Sequence, residues 1–295
     1  DSSGEGELLT PAEVREALRQ ATNDGAEPLE VLHMDACLMG LLEQAYQVSP
    51  YVGYLIASEN LAWSVFPYAD YARGVGTATS PDVLASNIVL SYSTRLSNAE
   101  GYPHTIAALD LGGVPTATAA VDDLATALIA ALPTAQDGIG QAWMATQHFD
   151  SRDYYAIDEQ DEYLDLVDLA GHLADAVTDT TVVSAAVAVQ RAVADHLVLK
   201  ERHLSGEAVI GGTTHQWTLN GAHGVALYFP PDNNVWGYGE YLAHTFRFTE
   251  HTAWGEFLLV YLGEATQDWD DLPKPGRPPV PEVEGHRVFL PVVLR

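Results

Sequence analysis

The segment from Leu29 to Gly40 reads LEVLHMDACLMG, and it is the starting point for the class of fold. Its first six residues are mainly apolar, which is typical of a short buried strand. Asp35 and Cys37 follow at once, and an amphipathic pattern predicts a helix from Leu41 to Val48. Open α/β sheets place ligands and catalytic groups just beyond the carboxyl ends of their strands. The segment therefore makes Cys37 a candidate nucleophile at the end of a strand.

The same alternation of short strands and helices continues along the chain. It predicts an α/β fold in which a parallel or mixed sheet is covered by helices on both faces. The predicted strands are Leu29–Met34, Tyr51–Ala57, Thr105–Leu109 and Val225–Phe229. The predicted helices are one that begins after Thr10, Leu41–Val48, Asp82–Leu96, Val114–Leu132, Glu159–Val177, Val182–Leu199 and Trp254–Leu262. Residues 61–80 form an aromatic and Gly-containing loop that is too long for a simple connection.

The composition predicts one globular body, residues 1–265, and a different C-terminal segment, residues 266–295. The body fits a chain of 295 residues with 47% hydrophobic and 18% charged residues. The run PKPGRPPVP from Pro273 to Pro281 is typical of an extended linker. The short apolar and basic tail that follows is interpreted as a tail strand or as a sorting or attachment peptide.

The charge of the chain excludes several kinds of partner. With 13 Lys and Arg against 41 Asp and Glu, the formal net charge is −28. Such a chain is repelled by nucleic-acid backbones and by anionic membranes. No apolar run approaches the roughly 18 residues of a membrane-spanning helix, so none is predicted. A single cysteine excludes an internal disulfide framework and a Cys-rich metal site.

Two interpretations of Cys37 follow from its position. Amides at the start of the predicted helix would lower the pKa of the thiol and favour a thiolate nucleophile. Alternatively, Cys37 is a small buried core residue, as most lone cysteines are. A thiol peptidase also needs a base. His33 lies roughly 13 Å away at strand rise, and His223, in the segment Gly221–Gly224, is a better internal candidate for which a structural role is favoured. No histidines show the spacing of zinc ligands, so no metal residues are assigned.

The residues around Cys37 resemble a motif of a known family. The segment Leu32–Gly40, followed by Glu43–Tyr46, resembles the cysteine motif of the clostripain-like cysteine peptidases, in the clan of caspases, gingipains and legumains. Similar segments follow along residues 1–265. The supporting segments are Ala57–Glu59, Ala107–Leu111, Tyr163–Leu166 and Gly224–Pro230. The resemblance implies a three-layer α/β/α caspase-like sandwich that lacks its N-terminal strands.

The resemblance also implies an activity and its residues. Cys37 matches the nucleophile of an endopeptidase that cleaves by thiolate acyl transfer. Asp35 matches an acidic residue beside the S1 pocket, which implies a basic P1 residue, Arg or Lys, in the peptide or protein substrate. The catalytic His of the family stands in a His-Gly motif upstream of the segment matched by Asp1, which implies a heavy subunit paired with a light chain, or a fragment. Autoprocessing, secretion or a cell-surface location, and Ca²⁺ as cofactor are further implications.

Several alternatives stay open at the level of sequence. Asp35 is either a specificity residue or a cap of the following helix, and Glu59 either lines the same cleft or starts the next loop. Trp63 and Tyr68 either wall a substrate pocket or pack a surface loop. The acidic clusters fit no EF-hand loop and are typical of solvated helix faces. The rival function is a catalytically incomplete peptidase-like module that binds peptides or surface partners.

Overall fold

The computed structural model describes residues 10–76, 79–99, 101–151, 157, 161–210, 212–235, 237–243, 246–265 and 292–294. A mixed five-stranded sheet is the central layer. Its strands are β1 (Leu29–His33), β2 (Val52–Ala57), β3 (His104–Asp110), β6 (Val198–Leu204) and β10 (Val292–Leu294). They lie in the order β10–β1–β2–β3–β6. Only β1 and β2 are parallel, and the other three pairings are antiparallel.

Helices cover both faces of this sheet, as the sequence predicted. The helices are α1 (Pro11–Ala21), α2 (Leu42–Val48), α3 (Tyr68–Gly74), α4 (Pro81–Ala99), α5 (Val114–Ala145), α6 (Leu166–Ala176), α7 (Thr180–Ala192), α8 (Tyr238–Leu242), α9 (Arg247–His251) and α10 (Trp254–Leu262). Successive strand residues point to opposite faces, so Leu32 and Leu55 join one core while Val31 and Ile56 join the other. The first core packs on α2, α5, α6, α7 and α10, and the second on α3 and α4. The three-layer α/β/α sandwich is confirmed.

Helix α5 is the centre of the larger core. It runs for 32 residues and continues through Pro133, where the sequence had predicted its end. Side chains along its length, including Val121, Leu124 and Leu128, are fully buried. The stretch Leu111–Ala145 is long and apolar enough to cross a membrane by length and composition alone, and half of its most apolar window is buried within the fold. Its hydrophobicity is therefore accounted for by packing against α6, α7 and α10.

Two small sheets lie beside the central one. The first is antiparallel and consists of β4 (His148–Phe149), β5 (Tyr163–Asp165) and β9 (Ala226–Tyr228). The second is the hairpin of β7 (Gly206–Ile210) and β8 (Thr213–Trp217). A parallel bridge between Leu41 and Ala226 joins the segment after Cys37 to the first of them.

Three sequence predictions about elements are corrected. The predicted helix Glu159–Val177 is a strand, β5, followed by α6, because the Asp165 side chain caps a new helix by accepting the Asp168 N–H. The predicted helix Val182–Leu199 ends earlier, and its last residues belong to a π-turn and to β6. The predicted loop 61–80 contains α3. The predicted linker at 273–281 lies outside the described residues. Val292–Leu294 forms a strand that pairs with β1, as in the interpretation of the C-terminal tail as a strand.

Candidate active site

The chain turns sharply after β1, and this cysteine turn (residues 35–40) lies against the end of β2. Leu38 has a φ of 60°, in the left-handed region that a residue with a Cβ rarely adopts. Leu38 N–H donates to the carbonyl oxygen of Asn60 at 3.1 Å, and Gly40 N–H donates to that of Ser58 at 2.8 Å. A Cβ on Gly40 would lie 3.0 Å from the Ser58 carbonyl carbon, so the close approach requires glycine.

The thiol of Cys37 is half-buried in this turn. Its Sγ accepts a hydrogen bond from the backbone N–H of Ala62, at 3.3 Å. Burial raises the pKa of the thiol, the Ala62 N–H opposes this, and the negative charge of Asp150 adds to the rise. The sequence prediction of a pKa lowered by a helix N-terminus is wrong, because α2 begins only at Leu42 and has seven residues.

Asp150 is a site residue that the sequence analysis missed. Its side chain is fully buried and accepts a hydrogen bond from Trp217 Nε1–H at 2.8 Å. Its backbone N–H donates to Asn60 Oδ1 at 2.9 Å. These contacts join the hairpin β7–β8 to the segment that carries Ala62. They connect residues 67 and 90 positions apart in sequence, so no local pattern could have revealed them.

Asp35 lies at the other side of the cysteine turn and is also half-buried. Its Oδ2 accepts a hydrogen bond from the hydroxyl of Tyr68. The alternative that Asp35 caps the following helix is wrong, since the N-cap of α2 is Leu41 and no side chain caps it. Its interpretation as a specificity residue stays a prediction.

An aromatic cluster links Ala62 and Trp63, beside the Cys37 thiol, to Tyr92 of α4. The backbone N–H of Trp63 donates to the Tyr92 hydroxyl at 2.8 Å, and that hydroxyl donates to the Trp63 carbonyl oxygen at 3.1 Å. The Trp63 ring stacks on Tyr102 with centroids 4.5 Å apart and meets Trp217 edge-on at 6.0 Å. Both Trp63 and Tyr68 are therefore fixed next to the cysteine turn and only partly exposed.

Glu59 lies beneath the cysteine turn, with only 2% of its surface exposed. Its Oε2 accepts the backbone N–H of Gly224 at 3.0 Å, and its carboxyl group hydrogen-bonds Asp165. Burial, and then the charge of Asp165, raise the pKa of Glu59 well above its usual range. Through these contacts Glu59 links the cysteine turn to Gly224 and Asp165. A contact between Glu59 and the substrate stays a prediction.

Neither candidate histidine is placed to act as the base. His33 is 2% exposed, lies edge-on to Phe66 and Tyr71, and has no hydrogen-bond partner on either nitrogen within the described part of the chain. Burial lowers its pKa to about 4, so it is neutral and enclosed. His223 Nδ1 lies 3.0 Å from Asp165 Oδ1, and that hydrogen bond raises its pKa to about 9. A protonated, paired imidazole cannot accept the thiol proton.

A calcium site finds no support in this geometry. In the ranges of the chain given above, no group of three or more His, Cys, Asp and Glu side chains could hold a metal ion. The acidic residues Asp161 and Glu162 instead accept hydrogen bonds from Ser151. The expectation of Ca²⁺, which came from the resemblance alone, stays a prediction.

Three comparisons with known proteins bear on the identity of the chain. Its fold matches a clostripain from Bacteroides thetaiotaomicron in complex with a peptide inhibitor (TM-score 0.58, 15% identity, 87% of this chain and 97% of that one). It also matches a B. fragilis cysteine protease, with a TM-score of 0.57 and 15% identity over 88% of this chain and 98% of that one. A third match is a secreted C11 cysteine protease from B. thetaiotaomicron, with a TM-score of 0.59 and 16% identity over 87% of this chain and 65% of that one. The search of curated proteins gave no match. The sequence model of the clostripain family, peptidase family C11, matches residues 1–269, and the chain therefore belongs to this family of cysteine peptidases.

Proposed function

We propose that the chain is an endopeptidase in which Cys37 is the nucleophile and Asp35 binds a basic P1 side chain. The observation that carries the proposal is the cysteine turn itself, which presents a half-buried thiol and a half-buried carboxylate two residues apart. The strained Leu38 supports it, since such backbone conformations concentrate at functional sites. A carboxylate near the scissile bond recognises Arg or Lys by a charge-assisted hydrogen bond.

The reaction proceeds by acyl transfer. The Cys37 thiolate attacks the carbonyl carbon, the C–S bond forms, and the π electrons move to the carbonyl oxygen. Backbone N–H groups, including that of Cys37, stabilise this oxyanion. The C–N bond then breaks, and the leaving amine takes the proton that the catalytic imidazole removed from the thiol. Water hydrolyses the thioester and restores the thiol.

The imidazole of this scheme is neither His33 nor His223, for the reasons given above. We place it in the His-Gly segment that the family resemblance locates upstream of Asp1, either on the same polypeptide or on a light chain. An imidazole at hydrogen-bond distance would overcome the raised pKa of the thiol, because the thiolate–imidazolium pair is stabilised by its opposite charges. Secretion or a cell-surface location and autoprocessing belong to the same proposal, and calcium enters no step of it.

The test uses the fact that Cys37 is the only cysteine. Alkylation by iodoacetamide, followed by mass spectrometry at pH 7, therefore reports on this thiol alone. With the upstream segment present, a nucleophilic Cys37 reacts faster in the folded protein than in the urea-unfolded chain. Cys37→Ala abolishes cleavage of Arg- and Lys-containing peptides while the melting temperature stays close to that of the parent. Cleavage that persists in this variant would refute the assignment.

The rival candidate, a peptidase-like binding module, has one observation in its favour. Burial raises the pKa of the thiol, which in the described residues has a backbone amide and no imidazole as its hydrogen-bond donor. A binding module would show slower alkylation in the folded protein than in the unfolded chain. It would also bind Arg-containing peptides without cleaving them, whether or not the upstream segment is supplied.

A further inference from the structure

The carboxylate of Asp35 has a partner that the proposed function does not use. Its Oδ2 accepts the Tyr68 hydroxyl, while the described residues provide no hydrogen-bond donor for Oδ1. The ion pairs found within the described ranges all lie elsewhere, so no Lys or Arg of these ranges neutralises this carboxylate. Oδ2 therefore already carries one of the two hydrogen bonds that a carboxylate oxygen can accept, whereas Oδ1 carries none from the described residues.

The position of Tyr68 is fixed by aromatic packing. It is the first residue of α3, and its ring meets Tyr71 edge-on with centroids 5.8 Å apart. It also lies 5.8 Å from Phe66, which stacks on Tyr92 at 4.9 Å. Tyr92 in turn holds the Trp63 backbone by two hydrogen bonds. The hydroxyl therefore reaches Asp35 from a braced ring, so a ligand does not displace it without disturbing α3.

The two basic side chains make different demands on a carboxylate. A guanidinium binds best through two parallel N–H donors, one to each oxygen. An ammonium is a compact charge that a single oxygen satisfies. Oδ2 can still accept a second hydrogen bond, but an oxygen that already accepts from Tyr68 is a weaker acceptor for a second donor. The carboxylate therefore suits the single-oxygen arrangement of Lys better than the two-oxygen arrangement of Arg.

We infer that Tyr68 is a specificity-determining residue that biases the S1 pocket towards Lys over Arg by donating a hydrogen bond to one oxygen of Asp35 and so weakening it as an acceptor for a guanidinium. The inference rests on the proposed function, since it takes Asp35 as the residue that binds the P1 side chain. It goes beyond that function by assigning the choice between the two basic side chains to the α3 segment. Tyr68 contacts the pocket acid and has no part in the chemistry of the thiol.

The experiment compares matched peptides that differ only in P1, with Arg, Lys or norleucine. It measures kcat/KM for cleavage and, independently, the rate at which peptidyl electrophiles with the same P1 residues modify Cys37. The variant Tyr68→Phe keeps the ring and removes the hydroxyl. Because a hydrogen bond to a charged group corresponds to about tenfold in binding, we expect the Arg-to-Lys ratio to rise by about tenfold, mainly through KM.

Tyr71→Phe is the matched control. Tyr71 is 4% exposed, belongs to the same aromatic cluster, and carries a hydroxyl with no hydrogen-bond partner among the described residues. Removing that hydroxyl leaves the Arg-to-Lys ratio unchanged. A similar change of the ratio in both variants would mean that the ring cluster, and not the bond to Asp35, sets the preference, and would overturn the inference.

The failures of the two proposals are distinguishable. If Asp35→Asn leaves the preference for basic over norleucine peptides intact, the P1 assignment in the proposed function fails. If Asp35→Asn abolishes that preference but Tyr68→Phe does not change the Arg-to-Lys ratio, only the role of Tyr68 fails. A fall in the Arg-to-Lys ratio in Tyr68→Phe would equally overturn it, because the hydroxyl would then help to bind Arg.

Discussion

The buried carboxyl of Glu59 predicts an unusual dependence of stability on pH. Burial and the neighbouring Asp165 raise its pKa well above the usual range, so the folded protein holds a proton on Glu59. The protonated group donates to Asp165 and accepts from the Gly224 N–H at 3.0 Å. Glu59→Gln reproduces this arrangement without a titratable proton, since the amide NH₂ donates and the amide oxygen accepts.

The sign and the size of the effect follow from proton linkage. The stability that the proton contributes is fully present below the unfolded pKa, near 4.5, and is lost as pH rises towards the folded-state pKa of Glu59. In that window the unfolded chain has released the proton and the folded chain has not. The free energy of unfolding therefore falls by about 1.4 kcal/mol per pH unit. The Gln variant lacks this term, so its stability relative to the parent rises with pH above about 4.5, by up to about 1.4 kcal/mol per pH unit.

Urea unfolding at pH 5, 6 and 7 measures the difference. The comparison is made in a Cys37→Ala background, so that neither protein carries the thiol. His223 shares Asp165 with Glu59, and its contribution to stability is also lost as pH rises through its pKa of about 9 in both proteins. Glu256→Gln is the control, because Glu256 is exposed on α10. Parallel pH dependences for the Glu59 variant and its parent, or a variant that loses stability relative to the parent as pH rises, would refute the reasoning.

Two further predictions concern contacts around the cysteine turn. Gly40→Ala places a Cβ within 2.9 Å of the Glu59 backbone nitrogen and should lower the free energy of unfolding by about 1–3 kcal/mol. The control Gly140→Ala introduces only an ordinary contact in α5 and should not destabilise the protein. Equal urea midpoints for the two variants would contradict this prediction. Trp217→Phe removes the Nε1–H donor from buried Asp150 and should cost about 1–3 kcal/mol in the same assay. An unchanged midpoint would show that other donors satisfy that carboxylate.

The parts of the fold that could be predicted from sequence are those with a strong local pattern. Helix α10 was predicted with its observed bounds, Trp254–Leu262, because apolar residues recur at helical spacing. Strand β6 was missed because its sequence, VLKERHL, has no alternation and is defined by backbone pairing with β3. Helix α5 passes Pro133 because packing on three other helices outweighs the lost hydrogen bond.

In the candidate site, too, local sequence patterns could be predicted and tertiary contacts could not. Cys37 was predicted from its position at the end of a strand, and Asp35 from the family resemblance. Ala62 and Asp150 were not predicted, since they reach the cysteine turn only through the fold. Tyr68 was named as an alternative wall of a substrate pocket, but its hydrogen bond to Asp35 was not predicted. Charge, burial and hydrogen bonding at a thiol are tertiary properties. A sequence motif identifies the reacting atom, but the surrounding donors and acids set its pKa.

One loop, residues 58–74, supplies partners to both functional groups of the turn. The N–H of Ala62 donates to the thiol, and six residues later the Tyr68 hydroxyl donates to Asp35. Both positions are braced by Tyr92 on α4, through its hydrogen bonds to Trp63 and its stacking on Phe66. A change in this loop therefore acts on the Cys37 thiol and on the Asp35 carboxylate together, whereas β1, which precedes the cysteine turn, stays fixed in the sheet. Substrate preference can thus diverge within such a fold by changes in the loop, without alteration of the cysteine turn.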